Sequence, residues 1–161
     1  MNNQLIIQQG QQLCWAACLE WRFRQAGIPI PQASIVKQVK GQFIDQAATD
    51  DEIINALNGL KFDYGQELYT LNCCYFYGAT IPWVVKHELN NNCPIFVTYN
   101  AGLMKHMVVL YQASFTEGVI WDDLHSVLIF DPGNGQDREV SAGVFYNDVQ
   151  TCISLSINKI G

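Results

Sequence analysis

Apolar residues at positions 14, 15, 18, 19, 21 and 23 interleave with charged and amide side chains, namely Glu20, Arg22, Arg24 and Gln25. This spacing has the period of an α-helix with a wide apolar face. We therefore predict an amphipathic helix from Cys14 to Ala26, which Gly27 and Pro29 would end.

Two shorter helices are predicted in the next stretch. The segment Pro31-Gln32-Ala33-Ser34 leads into a short helix from Ile35 to Lys40. Thr49-Asp50-Asp51-Glu52 has the composition of a capping box and begins a helix that runs to about Leu57, with Gly59 as its stop signal. Up to about residue 60 the pattern is therefore helical.

The pattern then changes. Leu68 to Tyr77 is rich in aromatic, β-branched and cysteine side chains, which indicates a strand or an extended crossing segment. Thr80 is predicted to cap a helix that has Pro82 near its first turn and ends around Asn90-Asn91-Asn92. This is the last predicted helix of more than two turns.

Strand patterns fill the C-terminal part, with one helical turn, capped by Ser141 and reaching Asn147, before the last strand. Helices first and antiparallel strands afterwards predict an α+β fold. We expect one domain over residues 1–161, with a helical half at about 1–92 and a sheet half at about 93–161. The predicted strands are Pro94 to Tyr99, Lys105 to Ala113, Gly118 to Trp121, Val127 to Phe130 and Thr151 to Ile157.

The composition excludes several classes of function. With 49% apolar and only 15% charged residues, the chain has the composition of a globular protein with a substantial core. Its net charge of −6 provides no basic patch for nucleic acid or an anionic membrane, so neither is an expected partner. The N-terminus lacks the basic region of a secretory signal, and no window approaches the ~20 apolar residues of a membrane span. We expect a protein that is cytoplasmic, or delivered or secreted without a classical signal peptide.

Six cysteines occur at positions that do not suggest a disulfide scaffold. Cys73 and Cys74 are adjacent and cannot easily bridge each other, and no Cys-x-x-Cys pair occurs. Buried free thiols are the favoured interpretation, because free cysteine behaves as a small apolar residue. A zinc site is the weaker alternative, with Cys14-x-x-x-Cys18 as the nearest approach to a ligand pair.

The segment from Gln8 to Cys18 combines features of a thiol nucleophile. Cys14 opens the first predicted helix, where unpaired backbone N–H groups and the macrodipole stabilise a thiolate. Gln8 lies six residues earlier and can direct its side-chain NH2 at the oxyanion of a tetrahedral intermediate. Cys18, one helical turn later, is expected to point into the core. Four other glutamines compete with Gln8 for the oxyanion role: Gln4, Gln9, Gln11 and Gln12.

A general base and a residue that orients it are also available. His106 begins an apolar strand pattern after the turn-like segment Asn100-Ala101-Gly102, and Asp131 ends a later one. A carboxylate that accepts a hydrogen bond from the far imidazole nitrogen would set the tautomer of the histidine. Two other histidines are alternatives to His106: His87, expected on the surface of a predicted helix, and His125, expected in a turn between two strands. Asp122 and Asp123 are alternatives to Asp131 as the orienting carboxylate. Asp131 can also be explained as a turn residue, because Asp-Pro-Gly-Asn-Gly is a strong turn sequence.

These residues resemble the papain-like cysteine peptidases. The resemblance rests on Gln8, Cys14-Trp15-Ala16, His106 with the apolar residues after it, and Asp131-Pro132, and it runs from Gln8 to about Gly135. Two short bacterial branches look closest: double-glycine leader peptidases fused to peptide exporters, and secreted effector peptidases with a Cys-Trp-Ala-Ala signature. Leader peptidases usually have Asp-Cys-Gly where this chain has Leu13-Cys14-Trp15, so their substrate preference transfers poorly.

The resemblance implies a papain-like fold, with the nucleophile helix in a helical subdomain packed on an antiparallel sheet. It implies a Cys14, His106 and Asp131 triad, with Gln8 in the oxyanion hole and no metal or organic cofactor. Protein or peptide substrates are expected. Papain-like zymogens normally carry a pro-segment, whereas here the motif begins at residue 8, so we expect either a domain of a longer protein or an enzyme restrained by a separate inhibitory, immunity-type partner. A toxin or effector role is favoured; the alternatives are a leader peptidase, a triad acyltransferase or deamidase, and an inactive binding module.

Trp15 and the aromatic group Tyr75, Phe76 and Tyr77 are predicted to belong to the core rather than to a specificity pocket.

Overall fold

The computed structural model describes residues 6–101, 104–116, 118 and 122–160. Five helices and seven strands are assigned within these residues. The helices are α1 (Cys14–Gln25), α2 (Gln32–Lys40), α3 (Asp50–Leu57), α4 (Pro82–Asn90) and α5 (Ala142–Asp148). The strands are β1 (Lys61–Tyr64), β2 (Glu67–Tyr77), β3 (Ile95–Ala101), β4 (Met104–Thr116), β5 (Asp123–Asp131), β6 (Gln136–Ser141) and β7 (Val149–Ile160).

The strands form one sheet in the order β1-β2-β7-β3-β4-β5-β6. The pairs β1/β2, β3/β4, β3/β7, β4/β5 and β5/β6 are antiparallel. Three helices precede this sheet in the chain, so the predicted α+β class is confirmed.

The chain divides into two compact units. The first comprises residues 1–73, 132–135 and 155–161, and the second comprises residues 74–131 and 136–154. The first unit contains α1, α2, α3 and β1; the second contains α4, α5 and the strands β3 to β6. The long strands β2 and β7 contribute residues to both units.

Helix α1 forms the centre of the first unit. Its apolar positions predicted a wide buried face, and Trp15, Cys18, Leu19 and Phe23 are all buried. The helix ends at Gln25, after which Gly27 adopts a positive φ of 76° that glycine tolerates best. The predicted helix from Cys14 to Ala26 is therefore confirmed to within one residue.

The capping box of α3 is also confirmed. The Thr49 hydroxyl accepts a hydrogen bond from the Glu52 backbone N–H at 3.2 Å, and the Glu52 carboxylate accepts one from the Thr49 backbone N–H at 2.8 Å. These reciprocal bonds satisfy donors that a helix N-terminus otherwise leaves unpaired. Ile53 and Leu57 then form the buried face of this helix.

The core of the second unit lies on one face of the sheet. Alternate residues of the central strands are fully buried there, since side chains two apart on a strand share a face. Helices α4 and α5 contribute Val85 and Phe145 to the same cluster. The strand residues of the cluster include Ile95, Val97, Val108, Leu110, Val127 and Ile129.

The starts of two helices differ from their predictions. Helix α2 begins at Gln32 rather than Ile35, because Pro31 takes an extended conformation as N-cap and its carbonyl accepts the first helical hydrogen bonds. Helix α4 is capped by Ile81 rather than Thr80. Pro82 is its first residue, and the residue before a proline favours the extended conformation of an N-cap.

Two strands were not predicted, and their residues are mostly exposed. Strand β1 has only four residues and forms a hairpin with β2 around Gly65, whose φ is 65°. Strand β6 is a charged edge strand, and edge strands are commonly polar because polar side chains oppose pairing with other chains. Strand β1 alternates polar and aromatic residues but is too short for this pattern to identify it, and β6 has no apolar alternation.

Strand β5 corrects one local expectation. It begins at Asp123, so His125 lies within a strand rather than in a turn. Of the strand predicted from Gly118 to Trp121, residues 119–121 lie outside the described residues, and Gly118 is not in a strand. Gly102 of the predicted turn before His106 also lies outside them.

The aromatic group at the end of β2 was predicted to belong to the core, but only part of it does. Tyr77 is 89% exposed and Tyr75 is 45% exposed, whereas Phe76 packs against the buried cluster of the second unit. The alternation follows the strand period, which directs residues 75 and 77 to one face and residue 76 to the other.

Within the described residues, none of the helices has the length and apolar character needed to cross a membrane.

Candidate active site

Cys14 is the first residue of α1. Its side chain is half-buried, and the preceding residue, Leu13, is fully buried at the N-cap. Leu13 provides no side-chain cap, and the first turn carries no acidic residue. The positive end of the helix dipole is therefore not neutralised by a carboxylate of its own first turn, which is the environment that stabilises a thiolate.

The residues that follow Cys14 belong to the core, as predicted. Cys18 is fully buried, so it cannot compete with Cys14 for an incoming substrate. Trp15 is buried too, and its indole N–H donates to the Gln46 carbonyl at 3.1 Å. This bond ties the first turn of α1 to the loop between α2 and α3.

The backbone around Gln8 is held on both sides. The Gln8 N–H donates to the Pro132 carbonyl at 3.0 Å. The buried Gln32 amide bridges the two neighbouring residues: it donates to the Ile7 carbonyl at 3.0 Å and accepts from the Gln9 N–H at 3.0 Å. An amide that pairs with backbone in this way restricts the path of the segment at Gln8.

Gln32 is itself held by a buried polar network. Its amide nitrogen also donates to the Glu20 carboxylate at 2.8 Å, and Glu20 forms an ion pair with Arg24 at 2.6 Å. Glu20 is a buried residue of α1, so this network links Gln32 to the helix that begins with Cys14. A buried carboxylate is stable only when it is paired in this manner.

The NH2 group of the Gln8 side chain donates to its own loop. Its Nε2 atom donates to the Gly10 carbonyl at 2.8 Å and to the Gln11 carbonyl at 3.2 Å. The Oε1 atom is buried and has no hydrogen-bond partner among the described residues. Both amide protons therefore point at loop carbonyls, and the bond to Gln11 is the longer of the two.

His106 and Asp131 are in direct contact. His106 Nε2 lies 2.7 Å from Asp131 Oδ1, and both side chains are less than one-fifth exposed. Strand register explains the pair: Val109 pairs with Phe130, so residue 131 falls opposite residue 108, two positions from His106 on the same face. With Nε2 bound to the carboxylate, the Nδ1 atom of the imidazole is the one suited to proton transfer.

An aromatic ring further restricts the imidazole. Tyr99 lies opposite His106 in the β3/β4 register, and the two rings pack edge to face with centroids 5.5 Å apart. Arg138 donates to the Tyr99 hydroxyl at 3.1 Å and lies over the same ring. Sequence patterns did not single out Tyr99, because its position opposite His106 depends on strand register.

The alternative acids and bases lie elsewhere. His87 is exposed on α4, as predicted, and stacks on Trp83. His125 is exposed on β5. Asp122 forms an ion pair with Lys86. Asp131 is thus the carboxylate found beside His106.

The cysteines are all free thiols, but their burial varies. Cys18, Cys93 and Cys152 are buried, whereas Cys74 is exposed, so the expectation of buried thiols is wrong for that residue.

In the part of the chain that the structure describes, no group of three or more potential metal-ligating His, Cys, Asp and Glu side chains occurs.

A small cavity lies in the second unit between the sheet and α5. Its volume is about 160 Å³, and apolar side chains such as Val108 and Ile129 line it together with Arg138 and Asp148. Ligand pockets typically measure about 300–1,000 Å³. The cavity is therefore small for a separate ligand, and we assign none to it.

The four predicted site residues are divided between the two compact units. Gln8 and Cys14 belong to the first unit, and His106 and Asp131 belong to the second. Within each unit the structure adds a residue that sequence patterns missed, namely Gln32 in the first and Tyr99 in the second. Gln4, one of the competing glutamines, lies outside the described residues.

Comparisons with known proteins show the class to which this α+β fold belongs. The chain belongs to the family described as papain-like cysteine protease AvrRpt2, whose model matches residues 1–150. It is therefore a papain-like cysteine protease that acts on proteins or peptides.

A solved structure has a similar fold. It is the peptidase domain of Streptococcus ComA, described as a bi-functional ABC transporter involved in a quorum-sensing pathway. The match has a TM-score of 0.67 and 16% sequence identity, and it covers 96% of this chain and 98% of the other. At that identity the likeness shows the fold alone. Among curated proteins, none matches the chain.

Proposed function

We propose that this protease hydrolyses peptide bonds with Cys14 as nucleophile, His106 as acid and base, and Asp131 as the residue that orients the histidine. The observation that carries the proposal is the 2.7 Å hydrogen bond between His106 Nε2 and Asp131 Oδ1. It leaves Nδ1 for proton exchange and stabilises an imidazolium. The position of Cys14 at the tip of α1 supports the role of the thiolate.

In this mechanism the Cys14 thiolate attacks the carbonyl carbon of the scissile peptide bond. A C–S bond forms, and the electron pair of the carbonyl moves to its oxygen. The imidazolium of His106 then gives its proton to the leaving amine, and the C–N bond breaks. The neutral imidazole next takes a proton from water, which attacks the thioester and releases the acid product and the thiolate.

Gln8 is proposed to stabilise the oxyanion together with the backbone N–H of Cys14. Because both Gln8 amide protons are donated to loop carbonyls, one must be shared or redirected in the transition state. The 3.2 Å bond to the Gln11 carbonyl is exposed and is the weaker of the two, so it is the one we assign to this exchange.

The favoured biological role is that of a toxin or effector peptidase which acts on proteins of a target cell and is restrained by an inhibitory partner. The segment Leu13-Cys14-Trp15-Ala16-Ala17 supports it, because leader peptidases usually have Asp-Cys-Gly at this place. The family match over residues 1–150 supports the protease activity on which this role depends.

The second candidate is a leader-peptide protease linked to a transporter. The observation that favours it is the fold shared with the peptidase domain of ComA, a bi-functional ABC transporter. This role predicts cleavage after a double glycine, whereas the effector role carries no such requirement. The two candidates therefore differ in the residues that flank the cleaved bond.

The test is to incubate wild type and Cys14→Ala with a proteome and to map new protein N-termini. We expect new termini with wild type only, and their flanking residues define the specificity. Termini that follow double glycines would favour the leader-peptidase role. Mass changes without chain cleavage would instead indicate an acyltransferase or deamidase. Absence of both, with Cys14 no more reactive toward iodoacetamide than the other thiols, would indicate an inactive binding module.

A further inference from the structure

The loop between Gln8 and Cys14 is held from outside by one carboxylate. Asp45, in the segment between α2 and α3, accepts a hydrogen bond on each of its oxygens. Its Oδ2 accepts from the Gln11 N–H at 3.0 Å, and its Oδ1 accepts from the Gln12 N–H at 2.9 Å. The contact spans more than 30 residues of sequence, so it is a tertiary feature and not a local turn.

The two peptide groups that bind Asp45 are the same two that bind the Gln8 side chain. In the peptide between Gly10 and Gln11, the N–H donates to Asp45 while the carbonyl accepts from Gln8 Nε2. In the next peptide, the Gln12 N–H donates to Asp45 and the Gln11 carbonyl accepts from Gln8 Nε2. Each peptide plane therefore connects one carboxylate oxygen to the same amide nitrogen.

From this arrangement we infer that Asp45 is a positioning residue for Gln8, an inference that rests on the proposed oxyanion role of Gln8. Hydrogen bonds to an ionised acceptor are stronger than neutral ones, and a peptide that donates to a carboxylate becomes a better acceptor at its carbonyl. Asp45 thus fixes the orientation of two carbonyls and strengthens their hold on the Gln8 amide. A donor that is oriented in advance needs little reorganisation when the oxyanion forms, since only its weaker bond, to the Gln11 carbonyl, has to be shared or redirected.

Gly10 leaves room for the same contact. A Cβ atom at this position would lie 2.5 Å from Asp45 Oδ1 and 2.6 Å from its Cγ. Such distances are well inside van der Waals contact, so the Asp45 side chain or the loop would have to move. Gly10→Ala therefore disturbs the carboxylate without removing it, which provides a second and independent variant.

The experiment compares two reactions of the same sulfur. Acylation of Cys14 by p-nitrophenyl acetate passes through a tetrahedral oxyanion, whereas alkylation by iodoacetamide does not. Neither reagent depends on peptide specificity, and Cys14→Ala corrects for the other five thiols. The variants are Gln8→Ala, Asp45→Ala, Asp45→Asn and Gly10→Ala, with the exposed Asp63→Ala of β1 as the matched control.

We expect Asp45→Ala and Gly10→Ala to slow the acylation burst by about 10-fold, because a displacement of 1 Å costs up to about 10²-fold. The alkylation rate at Cys14 should stay within about twofold of wild type, as judged on protein whose thermal transition is retained. Asp45→Asn keeps one acceptor oxygen and should recover part of the loss. Asp63→Ala should match wild type in both reactions.

The double variant Gln8→Ala/Asp45→Ala decides whether Asp45 acts through Gln8. If it does, the double variant acylates no more slowly than Gln8→Ala alone. Additive losses, or equal losses of acylation and alkylation in Asp45→Ala, would overturn the inference. If Gln8→Ala slows the acylation burst and Asp45→Ala does not, the inference about Asp45 is overturned while the proposed function is retained. An equal burst in wild type and Cys14→Ala would overturn the proposed function and this inference with it.

Discussion

The two parts of the proposed site are built by different means. Gln8, in the first unit, lies on an irregular segment whose backbone N–H groups donate hydrogen bonds to Gln32, Asp45 and Pro132, and these bonds hold the segment in place. His106 and Asp131, in the second unit, lie on neighbouring strands, and sheet register places them on one face. One part therefore depends on separate polar contacts, and the other depends on a regular lattice of backbone pairing.

This difference determines how each part can fail. A strand pair shares its hydrogen bonds and its apolar face with neighbouring residues, so the loss of one side chain leaves the register in place. The loop has no such redundancy, because its peptide N–H groups at Gln11 and Gln12 both depend on one carboxylate, that of Asp45. Substitutions near Gln8 should therefore affect geometry at a distance, whereas substitutions beside His106 should act on the residue that is changed.

The largest expected effect comes from the strand-borne pair. His106→Ala should lower peptide hydrolysis by about 10⁴-fold, because it removes the acid and base of the reaction. The comparison controls are His125→Ala, exposed on β5, and His87→Ala, exposed on α4, both of which should retain activity. The rate of new N-terminus formation is the measurement.

The same variant tests whether the two parts act together. If His106 stabilises the Cys14 thiolate, iodoacetamide should alkylate His106→Ala more slowly than wild type near pH 6. An unchanged alkylation rate would mean that the N-terminus of α1 stabilises the thiolate without His106, and it would contradict a contribution of the His106 imidazolium to that stabilisation.

The next effect concerns the loop. Gln8→Ala should lower turnover by about 10² to 10³-fold with little change in KM, because an oxyanion donor acts mainly in the transition state. Gln9→Ala is the matched control. Gln9 is adjacent to Gln8 and its side chain is exposed, whereas its backbone N–H, which donates to Gln32, is retained in the variant. Equal losses in both variants would indicate general disruption of the loop rather than loss of a donor.

A smaller effect, on stability, distinguishes the N-cap of α3 in the first unit from the N-cap of α5 in the second. Thr49→Ala should destabilise the protein by about 1 kcal/mol because it removes the capping hydroxyl of α3. In a chain of this size that amounts to a decrease of about 2–4 °C in Tm. Ser141→Ala, at the N-cap of α5, should leave Tm unchanged because that hydroxyl makes no capping bond. A thermal unfolding scan of both variants measures the difference.

The smallest effect is a pH dependence. The pKa of Glu52 lies below its ordinary value of 4.5, chiefly because of its hydrogen bond with Lys40 and then because of the Thr49 backbone N–H. A lowered pKa in the folded state gives stability that is present above the unfolded value and lost as the pH falls through the folded value. The Tm difference between wild type and Glu52→Gln should therefore be largest near pH 7 and disappear in acid. A constant difference across that range would contradict this assignment.

Sequence patterns predicted the regular parts of the molecule well where apolar spacing was clear. Helix α1, the capping box of α3 and the buried strands β3 and β7 follow directly from spacing and composition. The mostly exposed strands β1 and β6 were missed because β1 has only four residues and β6 has no apolar alternation. The position of His125 was wrong for a related reason, since the polar residues at the start of β5 look like a turn.

The sequence by itself determined the α+β class and the position of Cys14 at a helix terminus, because these depend on local spacing and on residue type. It also supplied Gln8, His106 and Asp131 as the proposed partners of Cys14, through the resemblance to papain-like cysteine peptidases. Only the tertiary structure decided which groups hold them. Asp45, Gln32 and Tyr99 act across 23 or more residues or through strand register, and no local pattern marks them. Their contacts form only when segments distant in sequence pack together, so the free energy of packing, rather than any local sequence pattern, decides which residues become partners.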